Sequence, residues 1–185
     1  MPGVFGVLGY PLAQSLSPYL HSRAFAKEGI AASYTTWEIA PENLASFMGR
    51  FRDGVCQEAP YTGASVTIPH KETVIPFLDA ITEDAKTIGA VNTLYRGDGK
   101  ILGHNTDMEG FTAPLQSREA FPYAVIFGAG GAARAVIAGL ARTGVKSITL
   151  LARNREKAER LASEFASRFS TFSVTDWENR ETSFE

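Results

Sequence analysis

A largely apolar segment runs directly into a glycine-rich turn at Tyr123-Ala124-Val125-Ile126-Phe127-Gly128-Ala129-Gly130-Gly131-Ala132-Ala133. This pattern predicts an apolar strand over 123–127 that leads into a helix. Gly128 permits a tight turn, Gly130 lets a ligand approach the backbone, and Ala133 keeps helix and strand close. Because a helix N-terminus offers free N–H groups to phosphates, we expect residues 128–132 to bind a dinucleotide.

The residues after this turn continue the same alternation. We predict a helix that reaches residue 143, a strand over 147–151, a long helix over 155–169 and a strand over 171–174. These elements form one βαβαβ unit. A Rossmann domain contains two such units, so the sequence predicts the first half of a dinucleotide-binding domain.

The end of the second of these strands indicates which dinucleotide binds. An NAD enzyme usually places a carboxylate there, whereas this chain has Ala152-Arg153-Asn154 with Arg155 and Lys157 close behind. Arg153 can form charge-assisted bonds to a 2′-phosphate, which favours NADP. The alternative is a solvated basic helix start, which is less favourable because cations oppose the dipole at a helix N-terminus.

The preceding part of the chain is typical of a small α/β domain. We predict strands over 4–9, 33–39, 63–68, 89–95 and 100–103, with helices that begin at Ser17 and over 41–51 and 71–78. Ser17 should be the N-cap of the first helix, which should bury an apolar face and end at Gly29. Gly97-Asp98-Gly99 indicates a hairpin turn. With a connecting helix near 111–115, the predicted domains are 1–109 and 110–185.

Several polar clusters follow the strands of this first domain. They contain Ser15, Ser17, Ser65, Thr67, Lys71, Asn92 and Asp107. Taken singly, each has an ordinary explanation as a helix cap, a surface charge or a turn residue. Their order along the chain is more informative than any one cluster.

Composition excludes several classes of protein. The 185 residues carry a formal net charge of −2, so we expect no general attraction to nucleic acid. One cysteine, Cys56, excludes an intrachain disulfide and a zinc framework, and no metal site is predicted. With neither a signal peptide nor an apolar segment of membrane-spanning length in the sequence, we expect a cytoplasmic protein with no membrane partner.

Five motifs together resemble the shikimate dehydrogenase family. They are Ser15-x-Ser17-Pro18, Val66-Thr67-Ile68-Pro69-His70-Lys71, Gly89-Ala90-Val91-Asn92-Thr93, Asn105-Thr106-Asp107 and Gly128-Ala129-Gly130-Gly131-Ala132. The resemblance implies reversible NADPH-dependent reduction of 3-dehydroshikimate to shikimate, a step of chorismate and aromatic amino-acid biosynthesis. It also implies that Lys71 and Asp107 form the catalytic pair.

The same resemblance implies further site roles. Ser15 and Ser17 would bind the substrate carboxylate, and Thr67, Asn92 and Asp107 would bind ring hydroxyls. Cofactor contacts fall on Gly128, Ala129, Gly130, Gly131, Ala132, Arg153, Asn154 and Lys157. Where the family often has asparagine this chain has Ser65 and Ala152, so each position loses an amide.

The chain also lacks the C-terminal part of the family, which completes the sheet and adds contacts to both ligands. We therefore expect weak or absent turnover. We also expect an exposed sheet edge that packs against a partner chain or pairs with a second copy of the chain in a homodimer. Two alternatives stay open. One is an NAD-using quinate/shikimate dehydrogenase, and the other is a non-catalytic module that binds shikimate or a nucleotide.

Overall fold

Two compact units make up the chain, Met1–Asn105 and Thr106–Glu185. The computed structural model describes residues 3–54, 60–116 and 121–179. Cys56 lies outside the described residues. The domain bounds that we predict from the sequence, 1–109 and 110–185, stay a prediction.

The first unit is built on a six-stranded mixed sheet. Its elements are β1 (Gly3–Gly9), α1 (Ser17–Lys27), β2 (Ala32–Glu38), α2 (Leu44–Asp53), β3 (Tyr61–Val66), α3 (His70–Thr73), β4 (Ala80–Ile81), α4 (Glu83–Ile88), β5 (Thr93–Gly97) and β6 (Lys100–His104). The strand order is β2-β1-β3-β5-β6-β4. β1 runs parallel to β2 and β3, and β5 runs antiparallel to β3 and β6.

An aromatic cluster forms the centre of the core of this unit. Phe47 and Phe51 of α2 are at most 1% exposed. The Trp37 ring centroid lies 5.6 Å from that of Phe47 and 5.1 Å from that of Tyr61, in tilted and edge-on contacts. Such pairs add to the stabilisation from apolar burial, so α2 is held against the sheet by the apolar face that its sequence predicts.

The predicted burial of α1 is wrong. Within Ser17–Lys27, all of which is described, no side chain is buried, and Leu20 is 60% exposed. Two rings of the helix still contact the sheet. The Phe25 ring centroid lies 5.5 Å from that of Phe5, and the His21 ring stacks on the Tyr34 ring of β2 at 4.2 Å. The helix cap also differs from prediction, because Leu16 rather than Ser17 occupies the N-cap position. Gly29, at φ +65°, follows the helix as expected.

Short elements account for the other differences. The predicted helix over 71–78 divides into α3 and a 3₁₀ turn at Ile75–Phe77, where Pro76 lacks the N–H that an α-helix would use. The sequence predicts no element between 78 and 89, yet α4 forms there. Thr82 caps it by accepting a bond from the Ala85 N–H at 3.3 Å. Six residues are too few to produce a visible helical period.

The second unit is the first half of a Rossmann fold, as predicted. It contains α5 (Asp107–Thr112), β7 (Tyr123–Phe127), α6 (Gly131–Leu140), β8 (Ser147–Ala152), α7 (Arg155–Phe165) and β9 (Thr171–Asp176). All three strands are parallel, in the order β7-β8-β9. α7 ends four residues earlier than predicted, because Ala166–Arg168 is a 3₁₀ turn.

β7 is an edge strand within the described residues, with β8 on one side. Tyr123 is 65% exposed and Phe127 is 46% exposed at this edge. None of the helices in the described ranges combines the length and the apolar character needed to cross a bilayer.

Arg96 on β5 joins that strand to the end of α2. Its guanidinium donates hydrogen bonds to the backbone oxygens of Phe51 and Arg52, the latter at 2.9 Å, and its Nε donates to the Tyr61 oxygen at 2.8 Å. These acceptors include carbonyl groups of the last turn of α2, which have no partner inside a helix. A cation at this end also complements the helix dipole.

We predict that Arg96→Met lowers the free energy of unfolding by about 2 kcal/mol, because it removes charge-assisted bonds from half-buried carbonyl groups. Urea denaturation measures the change. Arg50→Met is the matched control, since the Arg50 guanidinium donates to the exposed Ser46 hydroxyl and lies 6.0 Å from the Phe47 ring centroid, whereas Arg96 bonds carbonyl groups at the helix end. Equal losses in the two variants would contradict the capping role.

Asp79 gives the first unit a pH-dependent contribution to stability. The Ile101 N–H donates to its Oδ2 at 2.7 Å, and the Arg52 Nη1 lies 2.9 Å from both carboxylate oxygens. The backbone hydrogen bond, followed by the bond from Arg52, lowers the pKa of Asp79 below its ordinary value of 3.8. The stabilisation is therefore present above that value and is lost as pH falls through the lower pKa of the folded state.

We expect Asp79→Asn to unfold at lower urea concentration than the original chain at pH 7, with the difference shrinking as pH falls below 3.8. Urea titrations at several pH values measure this. Glu28→Gln, which removes an exposed carboxylate at the end of α1, should give a difference that does not follow the same course. A gap for Asp79→Asn that stays constant down to the acid end would refute the ionic contribution.

Candidate functional site

In the first unit, backbone hydrogen bonds bring the loops after β1 and β3 together. The Thr67 N–H donates to the Leu8 oxygen and the Tyr10 N–H donates to the Ile68 oxygen, both at 2.9 Å. Because β1 and β3 are parallel, their carboxyl ends lie at the same edge of the sheet. The polar residues that follow the two strands therefore share one location.

A cavity of about 390 Å³ lies at this edge. Its lining consists of Tyr10, Pro11, Leu12, Gln14, Ser15, Thr67 and Ile68. Two residues predicted from the sequence, Ser15 and Thr67, are thus in one cavity. Ser17 follows closely, with its N–H donating to the Ser15 Oγ at 3.4 Å. Glu38 steadies the loop, since its Oε2 accepts from the Leu12 N–H at 3.1 Å.

Backbone hydrogen bonds place Asn92 and Lys71 near the carboxyl end of β3. The Asn92 oxygen accepts from the Val66 N–H, and the Lys71 oxygen accepts from the Val91 N–H, each at 2.7 Å. Both side chains are half-buried. Residues that carry hydroxyl groups, an amide and an amine therefore lie near these strand ends, and such groups can hydrogen-bond a carboxylate and alcohols and exchange a proton.

Asp107 belongs to the second unit, where it is the first residue of α5. Its predicted pairing with Lys71 joins residues of different units and stays a prediction. Asn105 ends the first unit, 1% exposed, and its side-chain amide donates to the Ala90 oxygen at 2.9 Å. Asn105 thus braces the segment that leads to Asn92.

Sequence reasoning missed two supporting contacts in the first unit. His70, which precedes Lys71, is fully buried, and its Nε2 lies 2.6 Å from the Ile39 oxygen. Ser65 accepts a hydrogen bond from the Tyr34 hydroxyl at 2.8 Å, and burial raises the pKa of Tyr34. Residue order gave no signal for either contact, because each joins segments 31 positions apart.

A larger cavity, of about 730 Å³, lies in the second unit at the carboxyl ends of β7 and β8. It is lined by Gly128, Ala129, Gly130, Ala152, Arg153, Asn154, Arg155 and Lys157. Six of these eight residues were predicted to bind the cofactor. Its volume lies in the range of small-molecule sites, about 300–1,000 Å³.

The glycine turn leaves this cavity open to a ligand. Gly128 has φ +101°, a conformation that side chains rarely adopt, and its N–H donates to the Leu151 oxygen at 2.7 Å. A Cβ built at Gly128 or at Gly130 would meet no described atom within 4 Å. Backbone groups before α6 are therefore accessible to a phosphate.

Three cationic side chains and no carboxylate are among the residues that line this cavity. Arg153 is exposed, and no ion pair is found for it in the part of the chain that the structure describes. Asn154 caps α7, because its Oδ1 accepts from the Lys157 N–H at 2.9 Å. The cavity thus combines accessible N–H groups with fixed positive charge, which suits a phosphorylated ligand. Within the described ranges, no cluster of three or more His, Cys, Asp or Glu side chains is placed to bind a metal.

Two sequence families match the chain. The shikimate dehydrogenase substrate binding domain matches residues 7–94, and shikimate / quinate 5-dehydrogenase matches residues 117–182. The chain belongs to the shikimate dehydrogenase family. This confirms the family predicted from the five motifs. One matched range lies in each of the two units.

Relatives of the family agree in sequence and in structure. A shikimate dehydrogenase (NADP(+)) of Maridesulfovibrio salexigens is 44% identical over 178 residues, which are 96% of this chain and 62% of that protein. The crystal structure of shikimate dehydrogenase from Aquifex aeolicus has a TM-score of 0.79 at 37% identity, covering 94% of this chain and 62% of that one.

A further structural relative is the Thermus thermophilus enzyme in complex with NADP(H) and shikimate. Its TM-score is 0.77 at 33% identity, and the match covers 97% of this chain and 64% of that one. The chain therefore spans somewhat over 60% of the length of these relatives.

Alanine substitutions at Gly128 and Gly130 should show which of the two positions requires the backbone freedom of glycine. We predict that Gly128→Ala lowers the free energy of unfolding by about 1–2 kcal/mol, because alanine is strained at positive φ. Gly130→Ala is the matched control. Its extended backbone, at φ −94° and ψ −175°, accepts any residue, so thermal unfolding should be unchanged. A destabilised Gly130→Ala variant, or an unaffected Gly128→Ala variant, would contradict this.

Proposed function

We propose that the protein is a shikimate dehydrogenase that catalyses the reversible NADPH-dependent reduction of 3-dehydroshikimate to shikimate. The observation that carries this proposal is the cavity of about 730 Å³, where an accessible glycine turn and the cations Arg153 and Lys157 line one space. The identity of the substrate is inferred from the family membership. Naming the reaction from half of a dinucleotide fold alone would rest on analogy.

Charge is the argument for NADP over NAD. A 2′-phosphate carries negative charge that a carboxylate at the end of β8 would repel, and this strand ends instead in Ala152 followed by Arg153. Arginine offers a planar set of donors that can form two bonds to one phosphate. Asn154 and Lys157 complete the proposed 2′-phosphate site, while residues 128–132 would hold the pyrophosphate.

The proposed substrate site lies at the carboxyl ends of β1 and β3 in the first unit. Ser15 and Ser17 would donate hydrogen bonds to the substrate carboxylate, and Thr67 and Asn92 would hold ring hydroxyl groups. The support for these roles is that Ser15 and Thr67 line one cavity of about 390 Å³. Neutral donors suit a small carboxylate that must leave again, since they bind it without a full ion pair.

Proton transfer is assigned to Lys71. When bound, NADP supplies the nicotinamide that carries hydride to or from the carbinol carbon. In the direction of alcohol oxidation, the Lys71 amine takes the hydroxyl proton, and in the reverse direction its ammonium form returns that proton to the oxygen. Asp107 would orient the amine and bind a hydroxyl group. The half-burial of Lys71 on α3 supports a defined position for its side chain.

Assembly and location are part of the same proposal. We place the protein in the cytoplasm because the proposed reaction is biosynthetic and uses a soluble cofactor. The edge strand β7, with Tyr123 65% exposed, supports pairing with another chain, and a homodimer is the simplest form of it.

Calorimetric titration of the chain with NADP⁺, NAD⁺ and shikimate, with absorbance of reduced nicotinamide on the same sample, tests the proposal. We expect NADP⁺ to bind at least about tenfold more tightly than NAD⁺, since one charge-assisted contact accounts for about 1.4 kcal/mol. Arg153→Gln should remove that preference. Arg160→Gln, a change of the same kind on α7 and outside the cavity lining, should retain it.

Each alternative has its own outcome. Equal binding of NAD⁺ and NADP⁺ by the original chain, with turnover of quinate, would replace the proposal by an NAD-using quinate/shikimate dehydrogenase. Shikimate binding without any turnover would favour a non-catalytic binding module. Turnover that survives in a Lys71→Ala variant would refute the role of that lysine.

A further inference from the structure

Arg155 lines the same cavity as Arg153 but has no role in the cofactor site proposed above. It is the first residue of α7, directly after the capping residue Asn154. A cation in the first turn of a helix is unfavourable, because it lies at the positive end of the dipole. Nearby negative charge offsets this unfavourable contribution.

Two carboxylates supply that charge in this structure. The Arg155 Nε donates to the Glu159 Oε1 at 2.7 Å, and its Nη1 donates to the Asp176 Oδ1 at 2.6 Å. These hydrogen bonds, the one to Glu159 first, raise the pKa of the Arg155 guanidinium. The three side chains remain about half exposed, at 56%, 54% and 49%. Exposed pairs of this kind add little net stability, so their partners can change when an anion arrives.

The position of Asp176 connects this pair to the nucleotide. Asp176 is the last residue of β9, and it lies opposite Ala152 in the parallel register of β8 and β9. Ala152 directly precedes Arg153. A carboxylate therefore stands one strand away from the place where NAD-binding proteins carry theirs. Left without a partner, it would weaken the binding of a 2′-phosphate by charge repulsion.

From this arrangement we propose that Arg155 and Asp176 are specificity-determining residues for the 2′-phosphate. Arg155 neutralises Asp176 and adds positive charge to the cavity, and Asp176 limits how far Arg155 contributes. This inference rests on the proposed NADP site and deepens it. It assigns the choice of nucleotide to a charge pair that bridges α7 and β9, in addition to Arg153.

The test compares two small probes that differ only in the 2′-phosphate, adenosine 2′,5′-bisphosphate and adenosine 5′-monophosphate. Both are titrated calorimetrically into the chain and its variants. We expect Arg155→Gln to weaken binding of the bisphosphate about tenfold, the effect of losing one charge-assisted contact, and to leave the monophosphate unchanged. Asp176→Asn should strengthen bisphosphate binding several-fold. The double variant should bind the bisphosphate more tightly than Arg155→Gln alone.

Arg160→Gln is the matched control, because Arg160 forms an exposed pair with Glu156 on the same helix outside the cavity lining. Its two affinities should match those of the original chain. Equal weakening of both probes in Arg155→Gln would indicate a structural role in α7 and would overturn the inference. An unchanged bisphosphate affinity would overturn it as well.

Failure of the inference and failure of the proposed function are distinguishable in the same experiment. If the original chain prefers the bisphosphate and loses that preference in Arg153→Gln but not in Arg155→Gln, the NADP site stands and the charge pair is excluded. If the original chain has no preference for the bisphosphate, both the NADP assignment and the charge pair fall.

Discussion

Parallel strand pairing is the constraint on which both candidate sites depend. In a parallel sheet the carboxyl ends of neighbouring strands meet at one edge, so the loops that follow them are brought together whatever their distance in sequence. In the first unit this pairing joins β1 to β3 and collects Ser15 and Thr67 in one cavity. In the second unit the same pairing of β7 with β8 places Gly128 beside Arg153.

Sequence patterns predicted the second unit more fully than the first. β7 has the predicted bounds, and the turn, α6 and β8 follow in the expected order. The reason is that a strand, a glycine turn and a helix each leave a strong local pattern, and all three coincide here. The hairpin turn was equally local, since Asp98 at φ +51° and Gly99 at φ +73° adopt conformations typical of such turns.

The rest of the first unit depends on contacts between distant segments, which a single sequence does not reveal. The spacing of Leu20 and Phe25 predicts a buried helix face, yet whether a face is buried depends on what lies against it, and α1 has the sheet on one side only. The contacts of His70 with Ile39 and of Tyr34 with Ser65 likewise join separate elements. Polar partners of this kind are set by tertiary packing rather than by local pattern.

The two candidate sites also differ in how they use charge, and the difference agrees with the ligands proposed for them. A chain with a formal net charge of −2 has no general attraction for phosphates, so its cations must be placed individually. The second unit places Arg153, Arg155 and Lys157 around one cavity. The cavity of the first unit is lined by hydroxyl, amide and apolar groups, with Lys71 held nearby by its backbone. In the loop proposed to bind the substrate carboxylate, a fixed cation would hold a charged substrate and its product alike, which would lower KM without speeding the chemical step. In the proposed site, neutral donors around a single lysine would avoid that loss and would leave Lys71 as the protein group that exchanges the proton.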